Sequence, residues 1–242
     1  MSSLETRKIE PQSGTTVTLG AGGDAVTMPA GVTLKTNTVK DAGGNTLFTS
    51  DGAGTYSSVN SALSGSMTFI SSQTVSTAVA NIDFTSGIDS TYDEYMFIFT
   101  NISPSLNNVN FTFNGSIDSG SNYNVVKTST AFRAYHLESD SSALSYETGW
   151  DLAQSTADQQ LMNELGDDAD MSGSGILHLF APASTTYVKQ FYSRSAEYYG
   201  GNGAFDVYIG GYFNITSAID AITFKISSGN IDAGTIALYG IT

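Results

Sequence analysis

The apolar positions of this chain fall in short runs with a period of two, divided by small polar residues. The clearest is Asn108 to Asn114, NVNFTFN, where Val109, Phe111 and Phe113 point one way and Asn108, Asn110, Thr112 and Asn114 the other. That alternation predicts a half-buried β-strand. Comparable runs are Met67 to Ile70, Val75 to Phe84 and Tyr92 to Thr100, then one or two within Ser121 to Tyr135. Gly175 to Phe180, Tyr187 to Arg194, Ala204 to Phe213, Ala221 to Ser227 and Gly234 to Ile241 follow. About ten strands at this spacing, separated by Gly, Asn and Ser turns, predict an all-β fold with an antiparallel β-sandwich or jelly roll over 66–242. One stretch departs from the pattern. Asp151 to Leu165 places Ala157, Leu161 and Leu165 four residues apart, which predicts a long loop carrying one helical turn, with Gly166 suited to cap it.

The chain before residue 60 reads differently. Val17-Thr18-Leu19, Val26-Thr27-Met28 and Val32-Thr33-Leu34 are β-compatible triplets set between Gly-rich turns. A hairpin is expected from Thr36 to Lys40 and Asn45 to Thr49, with Asp41-Ala42-Gly43-Gly44 as its turn. Strands this short, with so few large apolar residues, cannot enclose a core within one chain. Two readings follow: an intertwined homotrimeric stalk whose faces are covered by neighbouring copies, or a flexible arm that orders on binding. Ser57 to Ser66, small and polar, reads as the junction. The expected organisation is therefore an attachment and trimerising segment, 1–60, followed by a head, 66–242.

Charge sharpens that division. The 242 residues carry 9 basic and 23 acidic side chains, a net charge of −14. Residues 71–242 hold 5 of the bases and 18 of the acids, a net of −13, so the first 70 residues are close to neutral. An acidic surface of this size repels phosphate and argues against nucleic acid as a partner. There is no cysteine, which removes disulfides, thiol catalysis and thiolate metal sites. No apolar run approaches the roughly 18 residues that suggest a membrane span, and Met1 to Pro11 lacks the apolar stretch of a signal peptide. Helix formers are scarce, and 33 serines and 28 threonines take their place.

Candidate chemistry is sparse, and no enzyme is expected. The two histidines are His136, followed by Glu138 and Asp140, and His178, which alternates with Leu177 and Leu179 and so faces away from their side of the strand. No nucleophile elbow, zinc-protease motif or phosphate loop occurs. The acids Asp93/Glu94, Glu138/Asp140, Glu147/Asp151 and Asp167/Asp168/Asp170 supply the residue type of a glycosidase pair, which needs two carboxylates facing each other. Asp168, Asp170 and Ser172, followed by Gly173, match the first half of a calcium-binding loop. Its twelfth position is Leu179 instead of an acid, so Glu164 or Asp158 is needed to complete a calcium site. Trp150, between Glu147 and Asp151, and Tyr198, Tyr199 and Asn202 in a Gly-rich turn are the candidates for surface recognition. For these tyrosines a subunit interface is the competing reading.

Three stretches carry a resemblance. Asn37 to Gly52, NTVKDAGGNTLFTSDG, resembles modules near the start of marine bacteriophage virion proteins. Leu177 to Tyr187, LHLFAPASTTY, and Thr216 to Ile241 are similar to the C-terminal jelly-roll domains of tail-fibre-like virion structural proteins. The resemblance implies a virion structural protein, assembled in the host cytoplasm and joined to other virion proteins by its N-terminal arm. It implies no catalytic or ligand residues. The first expectation is a homotrimeric fibre or appendage whose head contacts a host surface glycan or protein. The alternative is a capsid decoration or head-fibre protein anchored to the shell by the arm.

Overall fold

The computed structural model describes residues 36–53, 56–59 and 66–242. The chain divides into two units, 1–63 and 64–242. In the first, strands β1 (Thr38–Lys40), β2 (Thr46–Ser50) and β3 (Tyr56–Val59) form one antiparallel sheet. The β1–β2 hairpin is the expected one. Its turn is held by Asp41, whose carboxylate accepts the Asn45 backbone N–H at 2.8 Å and the Asn45 amide at 2.9 Å. Those bonds hold the Asp41 carboxyl below its ordinary range. β3 was not expected: it runs into the stretch read as the junction. Phe48 meets Tyr56 edge-on at 5.1 Å, yet none of this unit's described residues with a stated exposure is buried. The triplets at 17–19, 26–28 and 32–34 lie outside the described residues.

The second unit is all antiparallel. Its strands are β4 (Met67–Val75), β5 (Asn81–Phe84), β6 (Glu94–Pro104), β7 (Val109–Ser116), β8 (Lys127–Leu137) and β9 (Ser142–Tyr146). β10 (Gln159–Leu165), β11 (Gly173–Phe180), β12 (Lys189–Tyr199), β13 (Gly203–Phe213), β14 (Ala221–Ile226) and β15 (Ile231–Ile241) complete it. All twelve belong to one hydrogen-bonded network that branches at β12. Followed by packing, it is two layers: β4-β15-β6-β11-β12-β13-β8-β9 and β5-β14-β7-β10, joined where Leu165 pairs with Tyr199. Set aside β8, β9, β12 and β13, and the other eight strands in chain order lie as 1-8-3-6 over 2-7-4-5. That is a jelly roll. The four remaining strands are two insertions, β8–β9 between β7 and β10 and β12–β13 between β11 and β14. They extend only the first layer.

The two layers are held by phenylalanine. Phe224 of β14 lies within 5.2 Å of Phe97 and Phe99 across the interior, and touches Phe84, Phe111 and Phe113 of its own layer. Phe113 in turn meets Phe191 at 5.1 Å and Phe213 at 6.0 Å, carrying the contact onto the inserted strands. All eight rings are buried. The alternation read at 109, 111 and 113 is the inner face of β7. Thr112 and Asn114, on its other face, are also buried. Asn114 donates to Asp158 and accepts from Lys127, and Asp158 pairs with Lys225 at 2.7 Å. Burial lowers Lys127 to about 8, and its ammonium is satisfied by Asn114 Oδ1 and the Val125 carbonyl.

The stretch 151–165 corrects the helical expectation. It is a loop followed by strand β10, and the structure has no helix among the described residues. β10 slips register against β7 at Gln160/Met162 and again at Met162/Leu165, and Glu164 has φ of 53°. These bulges bury Leu161, Met162 and Asn163 in succession, which breaks the period of two and leaves Leu161 and Leu165 at a helical spacing. β9, which was also not expected, is exposed on nearly every residue and has no core face to mark it.

Truncating the central ring tests this packing. Phe224→Ala is expected to cost about 3–5 kcal/mol and to lower the melting temperature by roughly 10 °C or more, measured by differential scanning calorimetry.

Candidate surface groove

Because side chains alternate along each strand, the even-numbered residues of β8, β11, β12 and β13, and those of β6 up to Thr100, share the outer face of the longer layer. Their register is continuous. Ser174, Ala196, Asp206 and Ala134 lie side by side across four strands, with Tyr198, Ala204 and His136 in the next row. Small side chains in the middle and large ones around them leave two open hollows of ≈ 790 and ≈ 600 Å³, which share Ser174, Ala196, Ala204 and His136 and so form one groove. Ile98, Ile176 and Arg194 wall one side, and Tyr198, Glu138 and Asp140 the other.

The walls are fixed by polar contacts. Arg194 donates from Nε to Asp206 Oδ1 at 3.0 Å and from Nη2 to Oδ2 at 2.8 Å, the planar two-point match of guanidinium to carboxylate. It holds the Asp206 carboxyl below its ordinary range and lies 5.0 Å from the Tyr208 ring, which stacks on Phe132 at 4.7 Å. Opposite, the Tyr198 hydroxyl donates to Glu138 Oε1 at 3.3 Å and lies 3.5 Å from Asn202 Oδ1. Partial burial, and then the negative charges of Glu138, Asp170 and Asp168, push the phenol up. His136 Nε2 is 3.2 Å from Asp140 Oδ1. Asn202 has φ of 62° and its N–H closes the β12–β13 turn on the Tyr199 carbonyl at 2.9 Å, a conformation that suits asparagine.

Of the residues singled out from the sequence, Tyr198, Ser172, His136, Glu138 and Asp140 line this groove, and Asn202 supports its rim. Trp150 and Tyr199 do not. Tyr199 stacks on Phe205 at 4.4 Å against the core. Trp150 shares the Arg133 guanidinium with Phe205 and Tyr135, at 4.8, 4.5 and 5.3 Å, while Arg133 Nε sits 2.9 Å from Glu147 Oε1. That cluster holds Trp150 on the inner side of the sheet, and the loop then bonds along the edge of β8, Leu152 with Ser129 and Ser155 with Lys127. Asp168 and Asp170 are exposed in the β10–β11 turn. Leu179 is buried within β11, so the chain after Ser172 runs on as a strand and does not curl into a calcium loop. Asp158 is committed to Lys225 and Asn114, and no group of three or more potential metal ligands gathers among the described residues. His178 faces outward as expected, paired with Glu94 and stacked on Tyr192 at 4.5 Å.

The floor residues Ala134, Ala196, Ala204 and Ser174, and the Arg194–Asp206 pair, were missed. Each alanine stands singly among larger outer-face residues of its own strand, as Ala134 does between Phe132 and His136 and Ala196 between Arg194 and Tyr198, and acquires meaning only once register aligns the strands. No family model matches the chain, and comparison with curated proteins and with solved structures finds no similar protein. The fold is an elaborated jelly roll, and the groove is a shaped surface on its longer layer.

Beneath the groove, Glu197 points inward. Asn163 N–H donates to its Oε1 at 2.9 Å, and Oε2 has no hydrogen-bond partner. Burial holds this carboxyl well above its ordinary 4.5. An acid raised in the folded state binds its proton more tightly there than in the unfolded chain. Stability is therefore full below 4.5 and falls as pH rises towards the folded value. Glu197→Gln removes the ionisable group and keeps the acceptor. Thermal melts should show the variant more stable than wild type at pH 7.5, by about 1–3 kcal/mol, with the difference gone near pH 4.

Proposed function

We propose that the chain is a structural protein of a bacteriophage virion. It is a homotrimeric fibre or appendage, attached through residues 1–60, whose jelly-roll head contacts the host surface through the groove on its longer layer. The N-terminal and C-terminal resemblances support the virion role. The groove carries the recognition role, because its chemistry suits one class of ligand. An apolar floor of alanines beside the Tyr198 ring matches the hydrophobic face of a sugar. The rim offers donors and acceptors from Arg194, Asp206, Glu138, Asn202 and Ser172 for hydroxyl groups. Glu138, Asp140 and Asp206 outnumber Arg194, so the groove disfavours sulfated and carboxylated glycans and favours neutral ones.

Binding of the purified chain to host cells, and its competition with infection, tests this reading. Ala196→Trp fills the floor from a strand position whose neighbours across the sheet are Ser174 and Asp206. It is expected to weaken binding at least tenfold while leaving the melting temperature close to that of wild type. Wild-type protein that neither binds nor competes overturns the recognition role, as does full binding by Ala196→Trp.

A further inference from the structure

Among the described residues, the longer layer ends in two strands that are bare on their outer sides. β4 pairs only with β15 and β9 only with β8 among the described residues. Free edges are normally guarded by charge, proline or a covering element. The edge of the shorter layer is: β5 carries Asp83, and Gln73 Nε2 donates to the Asp83 carbonyl at 2.6 Å. The sequences of β4 (MTFISSQTV) and β9 (SALSY) hold neither a charge nor a proline. Instead they expose apolar groups: Met67 by 46%, Phe69 by 57%, Leu144 by 72% and Tyr146 by 53%.

The hydrogen-bond phase of both edges is set by the bonds on their inner sides. Leu137 N–H donates to the Ser141 carbonyl and Glu147 N–H to the Ala131 carbonyl. Odd-numbered β9 positions therefore bond β8, and the backbone groups of Ser142, Leu144 and Tyr146 face outward. On β4, Thr242 N–H donates to the Ser66 carbonyl, in register with Thr68 opposite Gly240, which leaves the backbone groups of Met67 and Phe69 facing outward. The residues with free backbone groups on both edges also have their side chains on the outer face of the layer. Residues that exchange hydrogen bonds across an antiparallel pair share a face, so Leu144 and Tyr146 of one copy can sit opposite Met67 and Phe69 of another without inverting the sheet.

Strand direction agrees. Every pairing in this eight-stranded layer is antiparallel, so its first and last strands run in opposite senses. A second copy rotated about an axis along the strands brings its β4 antiparallel to β9 of the first. Two different surfaces meeting in this way make a head-to-tail contact, which forms a ring when its rotation closes and a filament when it does not. We propose that copies of this chain join head to tail, β9 of one adding to the β4 edge of the next, with Leu144 and Tyr146 packed against Met67 and Phe69. The number of copies rests on the homotrimeric reading above; the contact does not. An uncharged seam also lets heads with a net charge of −13 over residues 71–242 approach.

Hydrogen exchange on the full chain, read beside its mass by light scattering, tests the seam. In the oligomer the amides of Leu144 and Tyr146 should exchange at least 100-fold more slowly than in an open peptide. Phe69→Lys, and Phe69→Ser as a smaller change, should release them at least tenfold, although β4 and β9 are opposite edges of the layer. Phe69→Glu combined with Leu144→Lys should restore protection. Free exchange at Leu144 and Tyr146 in a wild-type trimer overturns the seam and leaves the trimer standing, whereas a monomer overturns both. Protection unmoved by either Phe69 variant also overturns it.

Discussion

The head depends on one apolar contact between layers of unequal width, centred on Phe224. Each face is a set of alternating side chains that must be removed from water, and the jelly-roll crossings bring the two faces together along their length. A single ring reaching Phe97 and Phe99 across the interior, and Phe84, Phe111 and Phe113 beside it, ties strands from opposite ends of the head sequence into one cluster. Ionic interactions add little. The guanidinium of Arg194–Asp206 is largely exposed, where screening by water leaves little net gain, and the more sheltered Arg133–Glu147 pair acts locally on one loop. A chain with 13% charged residues is held by its rings.

Unequal width has consequences for the surface. β12–β13 and β8–β9 continue the longer layer past the jelly roll, and the shorter layer does not follow. On the inner side of this overhang Arg133 is locked between Trp150, Tyr135 and Phe205 and braced by Glu147, while the loop beyond Trp150 bonds along the edge of β8. The outer side is left open. There the small residues of four strands come into line and make the groove, and at its far margin β9 ends the sheet with no further strand among the described residues. The β9 edge comes from the insertions, and the groove forms where they meet β11 and β6.

Much of the fold was legible because half-buried strands announce themselves. Val109, Phe111 and Phe113 alternate, Leu177 and Leu179 flank an outward His178, and the Asp41–Gly44 turn separates two β-compatible runs. The strands that escaped notice lack that signature for identifiable reasons. β10 is bulged twice, so its buried residues fall in succession and imitate a helix. β9 is an edge with no buried face, and β3 is polar apart from its end residues. Tyr198 and Asn202 were visible as candidates because aromatic and asparagine side chains in a Gly-rich turn are conspicuous. Ala134, Ala196 and Ala204 were not, since an alanine is meaningful only through its neighbours across the sheet. Trp150 drew notice by its type, and its place beneath Arg133 depends on a contact between positions far from the loop's own sequence pattern.

The particle appendage proposed above rests on the resemblance to virion proteins, with the acidic jelly-roll head and the nearly neutral N-terminal segment in keeping with it. The most direct measurement is a cryo-electron microscopy map of the intact particle, at a resolution that traces β-strands. It should show threefold-related copies joined to the particle by residues 1–60, with the Ala196 groove open to solvent. Heads lying on the capsid shell with that groove buried, or particles that lack the chain, would contradict it.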